Sequence, residues 1–124
     1  MKKITQFLAV LLISFLFQVN AQDIKQLTKK TPAERSQLQT QWMKDKLLLG
    51  ESQVDLVYAI NLKYANMNDP LLKSTESKVS KFKKLKASQK EKENELKKIF
   101  TPDQFSKYLI MKDELKNKMK TQYK

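Results

Sequence analysis

The chain contains a single glycine, Gly50, and three prolines, Pro32, Pro70 and Pro102. That scarcity of backbone breakers narrows the possible folds more than any other feature. Hairpins of β proteins turn on glycine and on Asn-Gly or Asp-Gly pairs, and strands alternate apolar and polar residues. Neither pattern occurs here, and the strand-favouring residues fall at three- and four-residue steps. The spacing predicts an all-α chain in which the few breakers mark helix borders.

Two of the prolines sit in matching contexts, Thr31-Pro32-Ala33-Glu34 and Thr101-Pro102-Asp103-Gln104. In each, threonine can accept a backbone N–H bond and proline suits the first helical position. Glu34 or Gln104 can then reach back to the cap residue, completing a capping box. The first helix opens at Thr31, carries Leu38, Trp42 and Leu49 on its apolar face, and runs toward Gly50. The glycine is expected either as the left-handed residue that ends this helix or as the N-cap of the next. A second helix from Glu51 bears Val54, Val57, Ile60, Tyr64 and Met67. The turn formers Asn66-Met67-Asn68-Asp69 before Pro70 are expected to end it in a bend. A third helix, from Leu71 or Leu72 to Ile99, carries Val79, Phe82, Leu85, Leu96 and Ile99. Its middle is thin, because Gln89 and Lys92 hold seam positions. A fourth helix from Thr101 presents Phe105, Tyr108, Leu109, Leu115 and Met119 and ends in a lysine-rich tail.

The N-terminus has the pattern of a secretory leader. Lys2 and Lys3 precede an apolar run from Phe7 to Phe17, too short for the roughly 20 residues of a spanning helix, and Val19-Asn20-Ala21 offers small residues for cleavage. The expected organisation is a signal peptide over 1–21, a flexible arm over 22–30, and a helical domain over 31–124. The exported protein is then expected in the periplasm, or outside the cell, with no integral membrane segment after cleavage. One small domain has a thin core, which points to a homodimer.

Charge adds a further constraint. Taking Lys2 and Lys3 from 25 basic residues leaves 23 against 13 acidic ones, a net charge of +10. Such a surface attracts anionic partners. Arg35 is the single arginine, and nucleic-acid readers depend on bidentate arginine, so nucleic acid is not expected as a partner. The sequence has no Cys and no His, which removes thiol chemistry and leaves no good ligand for zinc or copper. No cofactor is expected. Nor does any nucleophile have a plausible partner; Ser80 with Lys83 makes a lone Ser-x-x-Lys among many lysines, and no enzyme is expected.

The capping segments also share a wider signature. Phe100-Thr101-Pro102-Asp103-Gln104, Lys30-Thr31-Pro32-Ala33-Glu34-Arg35 and Leu49-Gly50-Glu51-Ser52-Gln53 read as three copies of one motif. The set resembles the Leu-Thr-x-x-Gln motif of the Spy and CpxP family of small exported bacterial proteins. The resemblance implies a four-helix, elongated, cradle-like antiparallel homodimer, with Thr31, Pro32, Glu34, Arg35, Gly50, Gln53, Thr101, Pro102 and Gln104 as motif residues. It also implies either ATP-independent holding of unfolded or misfolded polypeptides, or a regulatory or structural role such as damping an envelope-stress sensor.

For the holding role, the third helix supplies lysines that draw a client by charge, and apolar neighbours that retain it. The residues expected to do so are Lys81, Phe82, Lys84, Leu85, Lys86, Tyr108 and Met111. The structural alternative for Phe82, Leu85 and Tyr108 is a place in the core, and for the lysines a solvated face.

Overall fold

In the computed structural model, which describes residues 29–122, four helices follow one another: α1 Pro32–Leu47, α2 Glu51–Lys73, α3 Lys78–Ile99 and α4 Pro102–Gln122. No strand occurs among the described residues. The expected signal peptide over 1–21 and most of the arm expected over 22–30 lie outside the described residues.

Helices α1 and α2 form an antiparallel hairpin, shown by cross-links at Arg35–Asp69 and Thr40–Asn61. Helix α3 returns antiparallel to α2, with Lys63 and Tyr64 on Glu95 and Ser88 on Asn68. Helix α4 packs on α1 and α3 more sparingly. The core of Met43, Leu47, Leu49, Val57, Leu96, Phe100 and Tyr108 gathers where the α1–α2 and α3–α4 turns meet, with Trp42, Val54, Ile60, Ile99, Phe105, Leu109 and Met111 packed round it. Tyr108 lies with its ring centroid 5.9 Å from those of both Phe100 and Phe105, nearly parallel to the latter.

Three borders differ from the sequence reading. Helix α2 passes through Pro70 and ends three residues later. Proline removes one N–H and crowds the preceding turn, a cost that remains local this close to the helix end. Leu71 and Leu72 therefore belong to α2, and α3 begins only at Lys78, where the Ser77 side chain accepts from the Ser80 N–H. The left-handed residue that ends α1 is Leu48, with φ 54°, while Gly50 has φ −73° and caps α2. Of the two roles open to the glycine, the N-cap is the one it fills.

The inward face of α1 also differs. Leu38 is 40% exposed, and the residues facing α2 are Arg35, Ser36, Thr40, Met43 and Leu47. Ser36 and Thr40 can be buried because each hydroxyl donates to a carbonyl four residues back, Pro32 and Ser36, at 2.7 Å. Thr40 then accepts from Asn61 Nδ2 at 2.9 Å, so a polar pair pins the two helices in register.

Candidate functional site

The motif residues come together as a clasp. At Thr101 the box is complete: the Gln104 N–H donates to Thr101 Oγ1 at 3.2 Å and the Thr101 N–H donates to Gln104 Oε1 at 2.9 Å. At Gly50 the returning half is present, with the Gly50 N–H donating to Gln53 Oε1 at 3.0 Å. Glycine has no side chain to offer in exchange, so the Gln53 N–H turns to the Gly50 carbonyl. The two glutamines then meet. Gln53 Nε2 donates to Gln104 Oε1 at 2.7 Å and Gln104 Nε2 to Gln53 Oε1 at 3.2 Å. Each amide also donates to the end of the other hairpin's first helix, Gln53 to the Ile99 carbonyl at 3.0 Å and Gln104 to the Leu47 carbonyl at 3.3 Å. One side chain thus caps its own helix, satisfies an orphan C-terminal carbonyl and ties two turns together.

The copy at Thr31 plays a different part. Thr31 and Glu34 form their box, with bonds of 2.7 and 3.2 Å, and the Thr31 backbone N–H, followed by its side chain, holds the Glu34 carboxyl below its usual pKa. This box stands apart from the clasp. Arg35, buried, instead crosses to α2, donating to Asp69 Oδ1 at 3.1 Å and to the Lys30 carbonyl at 2.7 Å. Pro32 and Pro102 each open their helix, as expected.

The residues expected to meet a client are not gathered on one surface. Leu85 and Tyr108 are core residues, 2% and 0% exposed, and are closed to any partner while the fold is intact. The reason for Tyr108 is its position between Phe100 and Phe105; for Leu85 it is the inward face of α3, shared with Ser88, Lys92 and Leu96. Phe82 and Met111 are half-buried. Lys81 is half-buried with its ammonium 3.4 Å from the Leu72 carbonyl, and Lys84 is exposed and paired with Glu76 at 2.6 Å. Lys86 is exposed.

A different set shares a face. Val79, Lys83, Lys86, Lys90 and Lys97 are all exposed, and their three-, four- and seven-residue steps place them along one stripe of α3, opposite its buried side. Lys97 also lies 5.7 Å from the Phe105 ring centroid. Glu93, at the step of this stripe between Lys90 and Lys97, is engaged by Lys112 of α4, and Glu95, on the flank facing α2, by Lys63. The lysine count was legible in the sequence, but the separation of this stripe from the apolar residues on the inner face was not.

A family model described as a domain of unknown function, DUF4890, matches residues 21–108. The chain belongs to that family. No curated protein and no solved structure matches it. The match takes in both glutamines of the clasp, the whole of α3 and the opening of α4 as far as Tyr108. Among the described residues of this DUF4890 chain, no three Asp or Glu side chains cluster as a metal site would require, and no helix is long and apolar enough to cross a membrane.

Proposed function

We propose that this protein is an exported, nucleotide-independent binder of unfolded or misfolded polypeptides, related to the Spy and CpxP proteins and working in the periplasm as a homodimer. The observation that carries the reading is the α3 stripe, where Lys83, Lys86, Lys90 and Lys97 run beside exposed Val79, and the one acid at a step of the stripe, Glu93, is engaged by Lys112. An array of ammonium groups of this kind raises encounter rates with acidic, flexible chains and fades as salt screens it beyond about 8 Å. Retention falls to exposed apolar residues such as Val79, Leu56, Met67 and Ile110, which contribute without the geometric demands of a fixed pocket. The clasped motif copies at the helix openings support the family resemblance, since they put the motif glutamines to one common use.

The test is suppression of aggregation of a chemically unfolded, acidic protein. Sub-stoichiometric suppression at low salt, weakened by 0.5 M salt and by a Lys83/Lys86/Lys90/Lys97→Gln variant, is the expected result. Absence of suppression at both salt concentrations removes the reading. The burial of Leu85 and Tyr108 favours a second one, in which the stripe binds one acidic partner by charge alone, as a sensor-damping or adhesive protein does. Affinity capture under mild conditions separates them: one stoichiometric partner for the second, a mixed population for the first.

A further inference from the structure

The lysines of the α3 stripe stand in a regular single file. Of the other lysines on this helix, Lys84 is paired with Glu76 at 2.6 Å, Lys81 lies 3.4 Å from the Leu72 carbonyl, and Lys92 is buried. Lys83, Lys86, Lys90 and Lys97 are exposed, and none of them makes an ion pair among the described residues. Glu93, at the step between Lys90 and Lys97, is neutralised by Lys112 of α4. An α-helix rises roughly 1.5 Å per residue, so the four stems leave the axis at about 0, 4.5, 10.5 and 21 Å. Val79, 49% exposed, stands about 6 Å before the first of them.

An extended chain matches that file. Its residues advance about 3.3 Å each and alternate faces, so side chains on one face recur about every 6.6 Å. Acids at every second position therefore fall at about 0, 6.6, 13.2 and 19.8 Å, each within about 3 Å of a lysine stem, an offset that the flexible four-carbon chain absorbs. A residue two positions outside the run lands at Val79. Other anionic bodies fit less well. A helix docked in a groove needs apolar anchors at three- and four-residue steps, and a helix lying on a membrane needs an apolar face along its length. The row offers a single exposed large apolar residue, at one end.

We propose that the stripe recognises an extended acidic segment of about nine residues, with four acids at alternate positions and an apolar residue two positions beyond one end. The inference rests on the polypeptide-binding reading and names the part of a client on which the row acts. The four acids face the lysines, the apolar residue meets Val79, and the intervening side chains turn to solvent, so their identity is free. Contact runs through side chains alone, and the row accepts the segment in either chain direction.

The test titrates the full mature chain, followed by two-dimensional NMR at low salt, with two peptides blocked at both ends. The first is leucine and serine followed by aspartate alternating with serine until four acids are present; the second has the same composition with its four aspartates adjacent. Saturable shifts at Val79, Lys83, Lys86 and Lys90 are expected with the first, at a Kd on the order of 1 mM, and about fivefold weaker binding with the second. Lys90→Gln lowers affinity for the first peptide about threefold. Lys84→Gln, which removes an equal charge outside the row, leaves it unchanged. Equal binding of the two peptides, or equal losses in the two variants, overturns the proposal in favour of diffuse attraction. Absence of shifts with either peptide overturns it as well, and shifts along the row with vesicles of anionic phospholipid then assign the stripe to a membrane surface. Failure here is distinct from failure of the holding reading. Aggregation suppression with no preference between the peptides leaves that reading standing without this one, and peptide preference without suppression leaves the recognition to the single-partner reading.

Discussion

The turn end of the bundle and its far end both bury polar side chains, but by opposite means. At the turns the groups are neutral amides, Gln53 and Gln104, and each donor and acceptor of the pair is met by the other or by a helix terminus. At the far end they are cations: Arg35 is paired with Asp69, and Lys92 donates to the Gln39 amide. The first arrangement gains stability and register; the second spends stability. The contrast between neutral amides and buried cations can be tested directly.

The largest effect is expected at the clasp. Gln104→Ala takes the partner from the exposed Thr101 N–H and from the part-buried Leu47 carbonyl and leaves the Gln53 amide only Gly50 and Ile99, and a part-buried orphan costs about 1–3 kcal/mol before water relieves it. A loss of about 3 kcal/mol in urea unfolding is expected. Gln53→Ala is expected to cost nearly as much alone, and the double variant less than the two losses combined, with a coupling of at least 1 kcal/mol. Additive losses would show the glutamines to be two separate caps.

At the cationic end the sign reverses. Burial pushes the Lys92 ammonium down to about 7 from an ordinary 10.5, opposed only by Glu93. Between those values the unfolded chain holds a proton that the folded chain has released, so the Lys92 contribution to stability grows as pH rises. That contribution is complete above 10.5 and is lost as pH falls through about 7. Lys92→Met removes the dependence. It is expected to be about 2 kcal/mol more stable than the parent at pH 6, below the ceiling of about 5 kcal/mol that the full shift sets at 1.36 kcal/mol per pH unit, because relaxation and water lessen the cost. The advantage should shrink steadily toward pH 10, as parallel denaturant titrations would show. Arg35 and Tyr64, which line a cleft with Lys92, are present in both proteins and cancel in the difference.

The third effect lies in the turn beside the clasp. Leu48 holds φ 54° and ψ 52° and is 76% exposed, so it bears backbone strain without packing in return. Glycine adopts that conformation without a Cβ penalty, and Leu48→Gly is expected to gain up to about 1 kcal/mol in thermal unfolding, less the entropy glycine adds to the unfolded chain. A loss would show that the Leu48 side chain has a partner.

How far the sequence revealed these regions follows from what each depends on. Capping boxes are local, and Thr31 with Glu34 and Thr101 with Gln104 could be read from spacing alone. The meeting of Gln53 and Gln104 could not, since the two are fifty-one positions apart and only the packing of two hairpins brings them together. Burial of Lys92 was half visible, because its seam position could be seen but a charged residue there reads as a gap in the core. The face of α1 was misread for a related reason: Ser36 and Thr40 pair internally and pack inward, whereas Leu38, more apolar than either, points out. Hydrophobic spacing records transfer preference, and it misses polar groups that satisfy one another after packing.

The smallest prediction concerns the asymmetry within the clasp itself. Gly50 occupies the cap position that threonine holds at Thr101, and its extended backbone, φ −73° and ψ 162°, suits any residue. A Cβ added there meets only Gln53 Oε1, at 3.9 Å, an ordinary contact. Gly50→Thr should therefore complete the second box, giving the Gln53 N–H a side-chain acceptor as the Gln104 N–H already has. Glycine is a poorer cap than Ser or Thr by only a few tenths of a kcal/mol, and a gain of about 0.3–0.5 kcal/mol is expected. The new hydroxyl accepts from the backbone N–H of residue 53, which alanine also supplies, so a gain unchanged in a Gln53→Ala background assigns it to the local cap or to glycine's lost freedom in the unfolded chain, and a gain that falls there shows that the cap and the glutamine pair form one unit. The outcome decides whether this end of the molecule works as a single network.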